Sequence, residues 1–170
     1  VVVPARRDLA GLRILIVDDN ETNRRILHHQ VTSWGLRDEC VANAVDALSM
    51  LVEGHRQNDP FQLALLDLKM KGTDGMALAR QIRADERLTP LKLVVLTSVG
   101  DQLPKDVLTR SGIQACLSKP IRQSELLDCL LSVINGQQGL TPAATLVEKP
   151  SPKQAVQKLG GLRVLVAEDN

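Results

Sequence analysis

Residues 11–20 read GLRILIVDDN, and the fold turns on this stretch. Its mostly apolar run, residues 12–17, is short and continuous, as expected of a strand buried on both faces of a sheet. The run ends on two adjacent acids, Asp18 and Asp19. A strand of a parallel sheet would carry both carboxylates to the edge where such sheets bind ligands. Runs of the same kind recur at residues 63–66, 91–96 and 113–117, with a weaker strand candidate at 37–42.

Between these runs the apolar residues repeat with helical spacing. Ile26, Leu27, Val31 and Trp34 form one stripe, Ala44, Ala47, Leu48, Leu51 and Val52 a second, and Leu127, Leu130, Leu131 and Ile134 another. Leu78, Ala79 and Ile82 place a helix after Gly75, and Pro104 marks the first turn of a fourth. Gly35 and Gly54 are expected to stop the first two helices. Five strands alternating with five helices require a parallel sheet covered on both faces through right-handed crossovers. The expected fold is α/β: a doubly wound, flavodoxin-like five-stranded parallel sheet of order 2-1-3-4-5.

The 170 residues suit one domain with a proper core. With aromatics at only 1%, that core must be aliphatic. The 21 basic and 20 acidic residues nearly cancel, so bulk charge offers no reason to expect nucleic acid or an anionic membrane as partner. Cys40, Cys116 and Cys129 have no paired spacing and suggest neither a disulfide framework nor a zinc site, which fits reduced thiols in a cytosol. No apolar run approaches the roughly 20 residues that span a bilayer, and residues 1–7 do not read as a signal peptide. A cytoplasmic, membrane-free segment is expected, whether alone or as the cytoplasmic part of a membrane-bound sensor.

The chain divides into an N-terminal linker (1–10), a domain (11–136), a Gly-, Gln-, Pro- and Ser-rich flexible linker (137–160) and a repeat (161–170). The repeat, GLRVLVAEDN, matches residues 11–20 at six of ten positions, as the first strand of a truncated second domain would.

Polar groups end four of the strands: Asp18 and Asp19 the first, Asp67 the third, Thr97 the fourth and Lys119, before Pro120, the fifth. Three carboxylates in one crevice disfavour each other's ionisation, and a hard divalent cation would remove that penalty. Mg²⁺ (or Mn²⁺), a carboxylate nucleophile, an amine and a hydroxyl make a phosphoryl-binding set. An adjacent acid pair alone reads equally well as a solvated turn or helix cap. Its companions at the other strand ends weigh against that.

The pieces ILIVDDN, LALLDLKMKGTDG, VVLTS and CLSKPI, in this order over residues 12–135, strongly resemble the receiver domains of response regulators and hybrid histidine kinases. The resemblance implies phosphotransfer from the phosphohistidine of a histidine kinase or phosphotransfer domain to Asp67. Asp19 would be a direct metal ligand beside Asp67, Asp18 would act largely through water, and the Lys69 carbonyl would be a further ligand. Thr97 and Lys119 would hold the phosphoryl oxygens, and Lys119-Pro120 would be a cis peptide. The run DDNETNRRIL and the tandem copy look most like hybrid-kinase receivers, with kinase and second receiver domains as possible intramolecular partners.

Two residues depart from the family pattern. Lys71 stands where proline is usual, and Cys116 stands where an aromatic switch residue normally couples with Thr97 to the face made by helix 4, strand 5 and helix 5.

Two alternative readings are a receiver-like interaction module that works without phosphate and an aspartyl-phosphate hydrolase. The complete set of site residues favours phosphotransfer over the first. The adjacent pair on strand one, with the acceptor on strand three, does not fit the second. No phosphate-binding glycine loop follows any strand, so no independent enzyme is expected beyond self-phosphotransfer. His28-His29 and the pairs Arg6-Arg7 and Arg24-Arg25 read as surface residues. Removing residues after Asn135 is expected to leave thermal unfolding and Asp67 phosphorylation unchanged; a truncated protein that unfolds would place the tail in the core.

Overall fold

The computed structural model describes residues 8–136 apart from 73, 99 and 102, so residues 1–7 of the expected linker at 1–10, the linker at 137–160 and the repeat at 161–170 lie outside the described residues. The elements run β1 (Arg13–Val17), α1 (Glu21–Ser33), β2 (Arg37–Val41), α2 (Ala44–Arg56), β3 (Leu63–Asp67), α3 (Gly75–Ala84), β4 (Lys92–Thr97), α4 (Lys105–Arg110), β5 (Ala115–Ser118) and α5 (Gln123–Ile134). The sheet is parallel throughout, as the alternation of elements requires, and has the expected order β2-β1-β3-β4-β5. Val17 pairs with Leu66, Asp67 with Leu96 and Thr97 with Ser118. This register brings the polar strand ends to one edge although they lie far apart in the chain.

Period-two alternation divides the aliphatic core into two layers. Leu15, Val17, Leu66 and Val95 face α2 and α3, meeting Ala47, Leu51, Leu78 and Ile82. Ile14, Ile16, Leu65 and Leu96 face the opposite way, onto Leu27 and Val31 of α1 and Leu126 and Leu130 of α5.

Gly35, at φ 84°, follows α1 as expected, but Gly54 does not stop α2, which continues to Arg56. Gly54 serves close packing instead: a Cβ there would lie 3.1 Å from Arg13 Nη1, 3.1 Å from the Asp59 carbonyl and 3.2 Å from Phe61. Arg13 fills this space, stacked 4.1 Å from the Phe61 ring centroid and paired with Glu39 and Asp59. The chain turns beyond α2 at Asn58, whose φ of 58° suits its short polar side chain. Pro104 caps α4 from just outside its first turn.

Some expected core positions shift. Ile26 is 51% exposed, and α5 buries Leu126, Cys129, Leu130 and Val133, while Leu127, Leu131 and Ile134 sit at the margin. Leu9, upstream of the expected boundary at residue 11, is wholly buried in the layer that holds Trp34 and Leu36. Among the described residues no helix is long and apolar enough to cross a membrane.

Arg83 ties together the end of the sheet opposite the acids. Its guanidinium donates to the carbonyls of Leu91 (2.8 Å) and Gly112 (2.7 Å) and reaches that of Thr89 at 3.2 Å. Burial pulls its pKa down from the usual arginine value. Arg83→Met leaves these carbonyls without their donor, so urea unfolding should show a loss of about 2 kcal/mol.

Candidate functional site

Asp18, Asp67 and Thr97 are the buried polar residues among those described, and all three lie at the carboxyl edge of the sheet. Lys119 Nζ bridges the two acids, 2.8 Å from Asp18 Oδ2 and 2.9 Å from Asp67 Oδ2. Burial pulls the Lys119 pKa down, but Asp18 and Asp67 together outweigh it, and the net shift is upward. Asp18 is committed to this scaffold. Its Oδ1 accepts the Asn20 N–H at 2.8 Å, Asn23 Nδ2 donates to Oδ2 at 3.1 Å, and Arg24 donates to its carbonyl at 2.7 Å.

Asp19 faces outward into a cleft of about 1020 Å³ that is also lined by Lys69, Met70, Lys71, Asp101 and Leu103. Its Oδ2 accepts the backbone N–H of Lys71 at 3.0 Å. Proline at position 71 could not make this bond. One oxygen from each of Asp18, Asp19 and Asp67 lies within 4.8 Å of the others. Three carboxylates against one ammonium leave a net charge of −2, and an all-oxygen donor set suits a hard divalent cation.

The loop that follows Asp67 is shaped by a close approach. Gly75 opens α3 so near the end of β3 that a Cβ would lie 2.3 Å from the Asp67 carbonyl oxygen, a spacing no side chain tolerates. The Gly75 N–H donates to the Leu68 carbonyl, and the Lys69 N–H turns back to Asp67 Oδ1 at 3.3 Å.

The sequence profile of the response regulator receiver domain matches residues 14–131. The chain belongs to this family. It is 30% identical over 142 residues to the probable histidine kinase 4 of rice (Oryza sativa subsp. japonica), a match covering 72% of this chain and 14% of the kinase. It is 32% identical over 122 residues to the sensor histidine kinase GacS of Pseudomonas protegens, covering 70% of this chain and 13% of that protein. The chain therefore spans only a small part of these curated relatives. Among solved structures, the receiver domain of the sensor histidine kinase PA1611 of Pseudomonas aeruginosa, which carries a coordinated magnesium ion, superposes with a TM-score of 0.62. That match is 28% identical and covers 74% of this chain and 99% of the other. The chemotaxis protein CheY4 of Vibrio cholerae, at 23% identity and TM-score 0.63 over 73% of this chain and 99% of its own, shares the fold.

The remaining receiver residues fall around this centre. The Thr97 hydroxyl donates to the Leu117 carbonyl at 3.4 Å and accepts the Cys116 thiol at 3.8 Å, so it is held on β5. Burial raises the Cys116 pKa against a smaller opposing pull from Thr97, and burial pushes Cys129 up to about 12, so both thiols stay protonated at neutral pH. The Lys119-Pro120 peptide is cis.

Sequence reading missed Asn23 and Arg24 as supports of Asp18. The clue was available, because helical spacing returns both to the acid pair once Asn20 caps α1.

Lys119→Met would leave two buried acids without their counter-charge. The protein should lose roughly 2 kcal/mol in EDTA at neutral pH, a value discounted because the lysine side chain is 23% exposed. Since the folded pKa of Lys119 is raised, its contribution holds below the ordinary value of 10.5 and fades as pH climbs through the raised one. Urea titrations should therefore show a constant gap between wild type and variant up to pH 10.5 that narrows only above it.

Proposed function

We propose that this receiver accepts a phosphoryl group on Asp67 from a phosphohistidine and signals through the face formed by α4, β5 and α5. The observation that carries the reading is the Asp18–Lys119–Asp67 arrangement, with Asp19 beside it at the open edge of the sheet. A carboxylate held by one ammonium and one backbone N–H keeps lone pairs free to attack phosphorus in line. The phosphorus–nitrogen bond breaks as the phosphorus–oxygen bond to Asp67 forms, and the imidazole leaves with the bonding pair.

Asp19, Asp67 and the Lys69 carbonyl would hold Mg²⁺ or Mn²⁺ directly, with Asp18 acting through water. The bound cation supplies the two positive charges that the carboxylate cluster lacks. Lys119, already on Asp67 Oδ2, is placed to follow a phosphoryl oxygen as it arrives. The Thr97 hydroxyl would leave its single carbonyl partner on β5 for the same group.

A protein donor needs a surface next to the acceptor. A groove of about 410 Å³ shares Asp18 and Lys119 with the site and is lined by Ile26, Leu27, Gln30, Pro120 and Ile121. Ile26 is exposed there, and Gln30 Oε1 is buried with no hydrogen-bond partner. An apolar helix face bearing the phosphohistidine and an amide or amine donor fits this surface. The donor in this reading is a histidine kinase or phosphotransfer domain, with the receiver at 11–136 as the cytoplasmic part of a larger sensor; the likeness to histidine kinases supports it.

With Mg²⁺ and acetyl phosphate, the protein should gain an acid-labile phosphoryl group that is absent in EDTA and in Asp67→Asn; mass spectrometry showing retention in Asp67→Asn would overturn the acceptor. Ile26→Asp should slow transfer from a phosphorylated histidine domain by more than about tenfold relative to labelling by acetyl phosphate.

A further inference from the structure

Lys69 links two parts of the receiver that have no other charged contact among the described residues. Its N–H lies on Asp67 Oδ1, while its Nζ is 2.5 Å from Asp101 Oδ2 in the connection between β4 and α4. The two residues line the same cleft, beside the open face of Asp19.

We propose that this ion pair is a charge-sensitive strap: phosphorylation of Asp67 draws the Lys69 ammonium off Asp101 and releases the segment leading into α4. The inference rests on Asp67 being the acceptor. It makes Asp101 a positioning residue.

Three observations carry it. First, Asp101 Oδ2 is closed off from solvent, accepts no other hydrogen bond and has the Lys69 ammonium as its charged partner. Second, the Lys69 side chain is 64% exposed on a long flexible stem, free to turn toward a new partner. Third, α4 is only six residues long, buries none of them fully and lacks a side-chain cap, and among the described residues Leu103, Val107 and Leu108 hold it to the core only by partial burial.

A phosphoryl group replaces one negative charge on Asp67 with about two, two residues from Lys69. Its oxygens then compete with Asp101 for the ammonium. With the ammonium gone, water takes its place on the partly exposed Asp101, and the charged tie that held the segment to the β3–α3 loop is lost. This route from the acceptor to α4 does not need an aromatic side chain at position 116.

Pairs this exposed are individually weak, so the expected effects are modest, about two- to fivefold in amide exchange. In wild type, Mg²⁺ with beryllofluoride should speed exchange at Gly100, position 101 and residues 105–110. Asp101→Asn should exchange this fast without the mimic and gain nothing on adding it. The double substitution Lys69→Asp/Asp101→Lys should restore slow exchange by reversing the pair, yet still show no response, because an acidic side chain at 69 is not drawn to the mimic. A merely structural pair would regain both protection and response.

Fluorine NMR of the bound mimic in each sample, with Asp67→Asn as control, separates the two levels of the argument. No bound mimic in wild type would overturn the Asp67 reading and the strap with it. Bound mimic with equal responses in wild type and Asp101→Asn, or a double substitution that leaves exchange fast, would overturn the strap alone.

Discussion

The Lys119 ammonium between the Asp18 and Asp67 carboxylates is the contact on which the rest of the site depends. Two enclosed acids at neighbouring strand ends repel, and without a shared cation their burial would be costly. The lysine joins the end of β5 to the ends of β1 and β3, so it fastens the sheet at the place where the chemistry is gathered. The same contact sets the division of labour between the acids. Asp18 is saturated with donors and holds the frame, whereas Asp19 turns outward and Asp67 keeps free lone pairs.

That arrangement needs a rigid platform, and the platform is aliphatic. Leucine, isoleucine and valine on both faces of five short strands leave little room for register slips, because a one-residue shift would exchange the two core layers and move Asp67 off the edge. Gly75 adds a local constraint of the same kind. By lying against the Asp67 carbonyl it sets where α3 begins and how the loop after β3 turns.

The parallel sheet and the gathering of Asp18, Asp19, Asp67, Thr97 and Lys119 were legible because they follow from period and from position at strand ends, and the strand order is one of the few doubly wound arrangements that such alternation allows. What escaped the sequence depended on contacts between distant segments. Gly54 reads as a stop, but its reason is Arg13, far away in the chain, stacked on Phe61. Ile26 reads as core because it belongs to an apolar stripe, yet the groove beside Pro120 and Ile121 leaves it open. The stripe of α5 shifted because that helix is apolar on more than one side, so periodicity alone did not choose the buried face. Arg83 offered no signal, since its partners are backbone carbonyls that no side-chain pattern reveals.

The Lys71 N–H that holds Asp19 has a consequence for how freely this loop can change. Because the bond comes from the main chain, it does not depend on which side chain stands at position 71, provided that residue is not proline. The exposed lysine can drift to acid, amide or alkyl under selection by partners outside, while the carboxylate behind it stays tethered. The departure from the family's proline thus separates the evolution of the loop's surface from that of the centre it covers.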